Sequence, residues 1–597
     1  MADLILACSR KGHPAVAADR LRRAALRLAP PEVPLREPRA LESAGVVAVV
    51  ANPTAEGVFL RGDEAPSGAL PDGAICVGGL FGARGSWWQT GADVPEGTYA
   101  LARWDADRVE LVTDICATRT LWYAYTGEAF LASTSQRALV MLLGAFDLEQ
   151  EATACFLSAG SLGPEVSWDA RVRRLPPDSR AALDRDAWRV TVHEAPFELS
   201  QSEGDAAADV ARLRDAISSA CGGLNLDLDR WVLPLSGGRD SRTLLAFLVA
   251  NGLSPRCVTW TTRKSLRNPL SDASIARALA RRFRVEHELL YLDAPDLALE
   301  TAIARFVAAD EGRNDEIAGY LDGFALWRDL SLAGVQGIIR GDESFGPASR
   351  PMQPEAGRKQ VGGATPDDYP ESHVLHRLGL AHQTWPRRLH KRAGEGLHDY
   401  RLRLSQQGFL PIILAGLSEP KARYVEIVNP HLARGVIGTV RSLSPGSRVQ
   451  TRAFRDIVDG VDRVVPYARA SSTLPAPDLL GRPDMRELLV RELMSAEVER
   501  VLPGDGPLYV LVAMAASAGE KRSARSRLRA LVKEASSALP TRLADQLAPA
   551  WKGPDPLPPT KVAFRALLAS RTIALFEEDA GALAGPGDST GDPGPSP

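Results

Sequence analysis

The feature that most constrains this chain is the run Leu235-Ser236-Gly237-Gly238-Arg239-Asp240-Ser241. Before it, Trp231-Val232-Leu233-Pro234-Leu235 has the length and flanks of a strand buried on both faces; after it, Thr243 to Leu253 reads as a helix with apolar residues on most sides. The glycines therefore sit at a strand-to-helix turn. Two adjacent glycines let the backbone approach a ligand closely, and the amides beyond them belong to a first helical turn, where they lack intrahelical partners. Such a turn binds anions, phosphate above all. Asp240 would repel a bare phosphate, so the pattern makes sense with a divalent cation between the two. Taken alone, the run can also be read as a plain glycine turn before a core helix.

The stretch that follows argues for the first reading. Arg256 to Thr261 is a strand pattern, Asp272 to Phe283 a helix and Glu286 to Leu292 a strand, an alternation that predicts a parallel sheet with its ligand at the carboxyl ends of the strands. A further strand, Gly334 to Arg340, ends in Gly341-Asp342-Glu343-Ser344-Phe345-Gly346. Carboxylates from the ends of two parallel strands can bracket a hydrated Mg²⁺ on a triphosphate, because that ion prefers one or two carboxylates plus phosphate oxygens. A capped loop is the plainer reading of this second turn.

The first run lacks the longer glycine spacing and the Lys-Ser/Thr pair of the common phosphate loop. It resembles instead the pyrophosphate loop of the ATP pyrophosphatase superfamily, whose members split ATP between the α and β phosphates. Within that superfamily the order of motifs is similar to class B asparagine synthetases. Asp272, Glu286-His287 and Asp310-Glu311 stand where that family has acidic, Glu-His and Asp-Glu-Pro motifs, and the Gly341 turn resembles its Gly-x-Gly-x-Asp-Glu-x-Phe-Gly, about three residues shortened. The lost positions include one that relatives place near the substrate. Tyr424 to Leu432 resembles Glu-x-Arg-x-Pro-Phe-Leu-Asp, with Val428 for the Arg and Ala433 for the Asp; Thr451-Arg452-Ala453-Phe454-Arg455 resembles Thr-Lys-x-x-Leu-Arg.

Residues 1 to about 200 read as mostly β, with strand patterns at Leu4 to Cys8, Val46 to Val50, Gly97 to Trp104, Val109 to Thr113 and Ala129 to Ser133. Trp104-Asp105, Asp114 and Leu121-Trp122-Tyr123 resemble the end of the family's amino-terminal glutaminase domain. The glutaminase activity itself is expected to be missing. In the family its nucleophile is a cysteine that becomes residue 1, with its own α-amino group as base, and here Met1 is followed by Ala2. Neither glutamine-holding segment of the family is found between residues 40 and 90. The bridge from Asp147 to Gly204 is read as a helix, a basic turn at Arg171 to Pro177 and a polar segment.

A chain of 597 residues exceeds one hydrophobic core. The resemblance implies a glutaminase-like (Ntn-type) β-rich sandwich over 1–204 and, over 205–575, a parallel-sheet ATP pyrophosphatase (adenine nucleotide α hydrolase-like) domain with a helical carboxyl-terminal part. The class is thus α/β and α+β, and the Gly/Pro-rich residues 576–597 are expected to be a disordered tail. A net charge of −3 gives no general attraction to nucleic acid or anionic membranes, and no apolar run approaches a membrane span. The six scattered cysteines form no CxxC pair, which suits a reducing cytoplasm better than a disulfide framework or zinc site.

By function, the resemblance implies an AMP-forming carbon–nitrogen ligase that adenylates a carboxylate and passes it to an amine without hydrolysing glutamine. β-Lactam synthetases and lasso peptide cyclases are the glutaminase-dead relatives it most resembles, which points to specialised metabolism and a small-molecule or peptide substrate. For a peptide, a precursor-delivery protein would be a partner. The implied cofactors are ATP and Mg²⁺. Leu235, Ser236, Gly237, Gly238, Asp240, Ser241, Thr259, Arg340 and Gly341 would bind the nucleotide, Asp240 and Asp342 the metal, and Arg452 and Glu426 would act in catalysis. The competing reading, supported by Arg452, Val428, Ala433 and the short acidic turn, is a non-catalytic binding or regulatory pseudo-synthetase.

Overall fold

The computed structural model describes residues 3–34, 36–43, 45–51, 58–61, 72–82, 85–200, 204–292, 297–342, 344–345, 354–462, 464–470, 476–519 and 557–583. Up to residue 200 its strands are β1 (Asp3–Ser9), β2 (Arg39–Ser43), β3 (Val46–Ala51), β4 (Val58–Arg61), β5 (Gly73–Leu80), β6 (Gly97–Trp104), β7 (Arg108–Thr113), β8 (Trp122–Tyr125), β9 (Ala129–Ser133), β10 (Val172–Arg174), β11 (Ser179–Asp184) and β12 (Arg189–Glu194). They form two antiparallel sheets, ordered β10-β8-β9-β1-β3-β2 and β12-β11-β7-β6-β5-β4.

β1 is an unbroken apolar run because both its faces are covered. Leu4, Leu6 and Cys8 share a core with Val77, Ala100 and Leu111 of the other sheet, while Ile5 and Ala7 pack with Leu21, Ala24 and Leu139 from the helices Ala18–Arg27 and Gln136–Leu143. Pairing of Leu4 with Val50 and Leu6 with Ala48 keeps the two apolar sets aligned, and a one-residue slip would exchange them. The expected bridge proves richer in strands than its composition suggests. Val172–Arg174 pairs with β8, and β11 and β12 form a hairpin that completes the second sheet. As an edge strand with exposed or half-exposed positions throughout, β12 has the polar look of a linker.

After the helix Ala206–Gly222 the chain enters a parallel sheet of β13 (Trp231–Pro234), β14 (Arg256–Thr261), β15 (His287–Tyr291), β16 (Gly337–Ile339) and β17 (Glu426–Val428), ordered β15-β14-β13-β16-β17. From β13 the chain builds outward first through β14 and β15 and then, on the other side, through β16 and β17. The carboxyl ends of β13 and β16 therefore flank the switch point, the crevice where open parallel sheets bind ligands.

The two domains are joined by buried ion pairs, Asp3 with Arg423 at 2.6 Å and Arg119 with Glu426 at 3.2 Å, and within the second domain Glu311 also pairs with Arg423 at 2.5 Å. Glu311, from the Asp-Glu motif, closes the helix Leu299–Asp310 in a left-handed conformation and accepts from Ser135 and the Gln136 amide, so it is domain glue. The expected tail boundary at 576 falls inside the helix Pro559–Gly581, where Phe576 and Asp579 are fully buried and Asp579 pairs with Arg27 and Arg137. Residues 584–597 lie outside the described residues. Among the described residues no helix is long and apolar enough to cross a membrane.

Candidate functional site

The run after β13 is a turn wired to itself. The Ser236 amide donates to Ser241 Oγ at 3.0 Å, the two serine hydroxyls lie 3.0 Å apart, and the Gly238 amide donates to Ser236 Oγ at 3.2 Å. Asp240 opens the helix Asp240–Ala250, with Arg239 at its N-cap. Thr259 of β14 supports the loop from beneath, its hydroxyl donating to the Leu235 carbonyl at 2.6 Å and lying 2.9 Å from His287 Nε2. Burial, with Arg277 adding, lowers His287 to about 4, so near neutrality it is an uncharged partner of Thr259.

Gly341 brings the second turn against the first. A Cβ at this position would stand 2.9 Å from the Asp240 carbonyl oxygen, so the close approach requires glycine. Asp342 is the next residue after this contact. Its Oδ1 accepts from Arg340 Nη2 at 2.8 Å and its Oδ2 from Asn429 Nδ2 at 2.6 Å, while Arg340 also donates to Ser418 Oγ at 3.3 Å. Asn429 follows β17, accepts from the Asp342 amide at 3.3 Å, and donates its own amide to Thr98 Oγ1 of the first domain at 3.3 Å. A polar relay therefore runs from the first domain to the Asp342 carboxylate. Glu343 and Gly346 lie outside the described residues.

The remaining expected residues are placed differently. Glu426 opens β17, away from the carboxyl edge; it is fully buried and held by Arg119 and the Ile427 amide in the seam between the domains. Arg452 opens the helix Arg452–Val461, whose Phe454 packs against Phe345 of the second turn and against His431. Its own side chain is two-thirds exposed, with Asp456 4.0 Å away one helical turn on. The helix is at the site and the guanidinium points outward.

Three features escaped the sequence reading. Asn429 and Thr98 carry no catalytic signature, and an Asn just past a strand end is the only hint that could have flagged the first. Arg242 is fully buried and donates to the carbonyls of Val465 and Pro466 at 2.7 Å, with its guanidinium 4.3 Å from the Tyr467 ring centre. It anchors a strap, Val465 to Ala470, that crosses the loop: the Ala468 amide donates to the Gly237 carbonyl at 3.1 Å, and the Ala468 methyl leaves no room for a Cβ on Gly237. Finally, the Gly237 amide donates to Asp272 Oδ1 at 3.2 Å, so an internal carboxylate occupies one of the expected anion-binding amides. Among the described residues there is no cluster of three or more metal-ligating side chains.

No family model and no curated protein matches the sequence. Among solved structures, NMN synthetase from Francisella tularensis aligns at 18% identity over 24% of this chain, with a TM-score of 0.15; the chain spans 57% of that protein's length. An allosteric regulatory enzyme of purine biosynthesis aligns at 10% identity over 50% of this chain and 81% of its own, with a TM-score of 0.22. Glutamine phosphoribosylpyrophosphate amidotransferase from B. subtilis, complexed with ADP and GMP, aligns at 9% identity over 49% and 82%, with a TM-score of 0.21. Likenesses this slight carry no argument; the functional reading rests on the site.

Proposed function

We propose that this chain is an ATP-dependent, AMP-forming amide ligase of asparagine synthetase type without glutamine hydrolysis. The observation that supports it most is the close approach of Gly341 to Asp240, which sets two carboxylate-bearing turns side by side at the switch point of one parallel sheet. Asp240 and Asp342 fit Mg²⁺ by number and chemistry, since the ion needs only one or two carboxylates when a triphosphate supplies the other oxygens. Bound there, Mg²⁺ would screen the phosphates as charge develops on them. Asp342 would exchange its Arg340 partner for the ion, and the freed guanidinium would face the phosphates.

In the first step a substrate carboxylate oxygen attacks the α phosphorus and the bond to pyrophosphate breaks. In the second, an amine nitrogen forms a bond to the acyl carbon, the carbon–oxygen bond to AMP breaks, and the amine gives up a proton. The chain's own contribution is placement: the Ser236 to Ser241 turn orients the triphosphate, Thr259 fixes the Leu235 carbonyl, and the Thr98–Asn429 relay fixes Asp342. The Asp272 carboxylate must leave the Gly237 amide for that amide to meet pyrophosphate. Cytoplasmic specialised metabolism, with a precursor-delivery partner if the substrate is a peptide, is the setting we propose. ATP–pyrophosphate exchange driven by candidate carboxylates tests the reading, and nucleotide binding that never releases pyrophosphate would refute it.

A second reading, a pseudo-synthetase that binds without catalysis, is favoured by two particulars: Asp342 is neutralised by Arg340, and Arg452 faces solvent. The same assay separates the two.

A further inference from the structure

A cavity of about 450 Å³ opens where the segment joining the two domains passes over the second one. Phe197, Glu198 and Leu199 of that segment form one wall; the loop from Arg392 to Gly396, with Asp399 in the helical turn after it, forms the other. The cavity shares no lining residue with the Ser236 turn or the Gly341 turn. We infer that it is a ligand site separate from the nucleotide crevice, one that takes a free α-amino acid with an apolar side chain, its carboxylate against Arg392 and its ammonium against Glu198.

The charges on the walls single out a zwitterion. Two of the lining carboxylates are already matched from behind. Glu395 accepts from Arg403 on both oxygens at 2.7 Å, and its Oε2 also accepts the Arg392 amide at 2.9 Å; Asp399 accepts from Arg448 at 3.0 Å. Arg403 and Arg448 are themselves buried, so these pairs belong to the wall. Arg392 and Glu198 are placed differently. Both are exposed, and among the described residues neither makes an ion pair; the Arg392 side chain donates only its Nη1, to the Phe197 carbonyl at 3.0 Å. That bond ties Arg392 to the residue next to Glu198, so a guanidinium and a carboxylate border one cavity without pairing. An α-carboxylate can take the guanidinium fork with both oxygens, and an α-ammonium can donate to Glu198. A ligand with a single charge would leave one of the two unmatched.

Shape and stiffness agree with a small ligand. Phe197 is buried, with the Arg441 guanidinium 4.5 Å from its ring centre; Arg441 donates to Gln406 Oε1 at 2.9 Å, and the fully buried Gln406 donates onward to the Ser344 carbonyl at 3.0 Å. Leu199 and Ala393 complete an apolar surface beside that ring, where a ligand side chain can lie. Walls held in place beforehand reduce the ordering that binding must impose. A volume of about 450 Å³ is within the range of small-molecule sites. It suits a single amino acid and excludes a folded partner.

Calorimetric titration of the full-length protein with L-leucine tests the assignment, with leucinamide and N-acetyl-L-leucine as probes that each lack one of the two charges. Leucine should bind saturably with a Kd of about 1 mM, and each derivative about fivefold more weakly. Glu198→Gln removes the partner of the ammonium, Arg392→Gln that of the carboxylate, and Ala393→Trp fills the cavity; each should weaken leucine by about fivefold or more with an unchanged melting temperature. Glu198 makes no side-chain contact that the fold depends on, so its variant separates lost binding from lost structure. Absence of saturable binding by leucine, methionine and phenylalanine up to about 20 mM would overturn the inference, as would leucine affinity unaltered by Ala393→Trp. N-acetyl-L-leucine binding as tightly as leucine would overturn the zwitterion and leave an anion contact on Arg392. Binding is read without ATP, so none of these outcomes depends on the ligase reading.

Discussion

Asp114 in the first domain and Asp342 in the second are both aspartates in turns that follow strands, yet they are held in opposite ways. Asp114 is fully enclosed, and its carboxylate accepts the backbone amides of Tyr99, Cys116 and Thr118 together with the Thr118 hydroxyl. Burial nonetheless pushes it up to about 6. Asp342 keeps a fifth of its side chain exposed and is held by two side chains, the Arg340 guanidinium and the Asn429 carboxamide. Backbone donors are fixed by the turn they belong to; side-chain donors can swing away. The first arrangement makes a carboxylate a structural pin, and the second keeps one in place until something stronger takes it.

The sharpest way to break this contrast is Asp342→Asn. If Asp342 meets the metal, exchange should fall more than roughly a hundredfold with the melting temperature little changed. Asp114→Ala should do the reverse, costing about 3 kcal/mol of stability through its orphaned buried amides while exchange per folded molecule is kept; denaturant midpoints and exchange rates measured together check both.

His431 sharpens the comparison from the side of burial alone. It is enclosed beside Phe454, neither ring nitrogen has a hydrogen-bond partner among the described residues, and burial lowers it from 6.5 to about 4. Between those values the unfolded chain binds the proton and the fold does not, so stability falls as pH is lowered through this window. His431→Phe should remove that slope and gain about 2 kcal/mol at pH 5, seen as a flatter melting-temperature curve. A smaller effect is expected of Thr98→Val, which loosens Asn429 and should raise the Mg²⁺ concentration for half-maximal exchange by roughly fivefold; no change would make the first domain a bystander. Smallest of all, Arg452→Ala should alter exchange less than about threefold if its exposed position holds during turnover, and a loss beyond tenfold would show that the guanidinium swings inward.

The parallel sheet was largely readable beforehand. The strand Arg256–Thr261 and the helix Asp272–Phe283 fall where the alternation of apolar runs places them. The hairpin of β11 and β12 was less visible, because an exposed edge strand carries the composition of a linker. The site divides the same way. Glycine doublets and acidic turns announce themselves locally, since the backbone conformation they need is written in adjacent residues. Asn429, Thr98 and Arg119 act across separations of 87, 331 and 307 residues, and no local pattern records such a meeting.

Sequence alone determined that this chain has a glycine turn after a buried strand and a second acidic turn after another, because each is a property of a few neighbouring residues. Tertiary structure decided which turns come together and what holds the Asp342 carboxylate. The order of strands in the sheet puts Gly341 against Asp240, and the docking of the two domains sends Glu426 to Arg119 and leaves Asn429 to Asp342. Such pairings depend on long-range packing, whose energetics belong to the whole core and to no single stretch of chain.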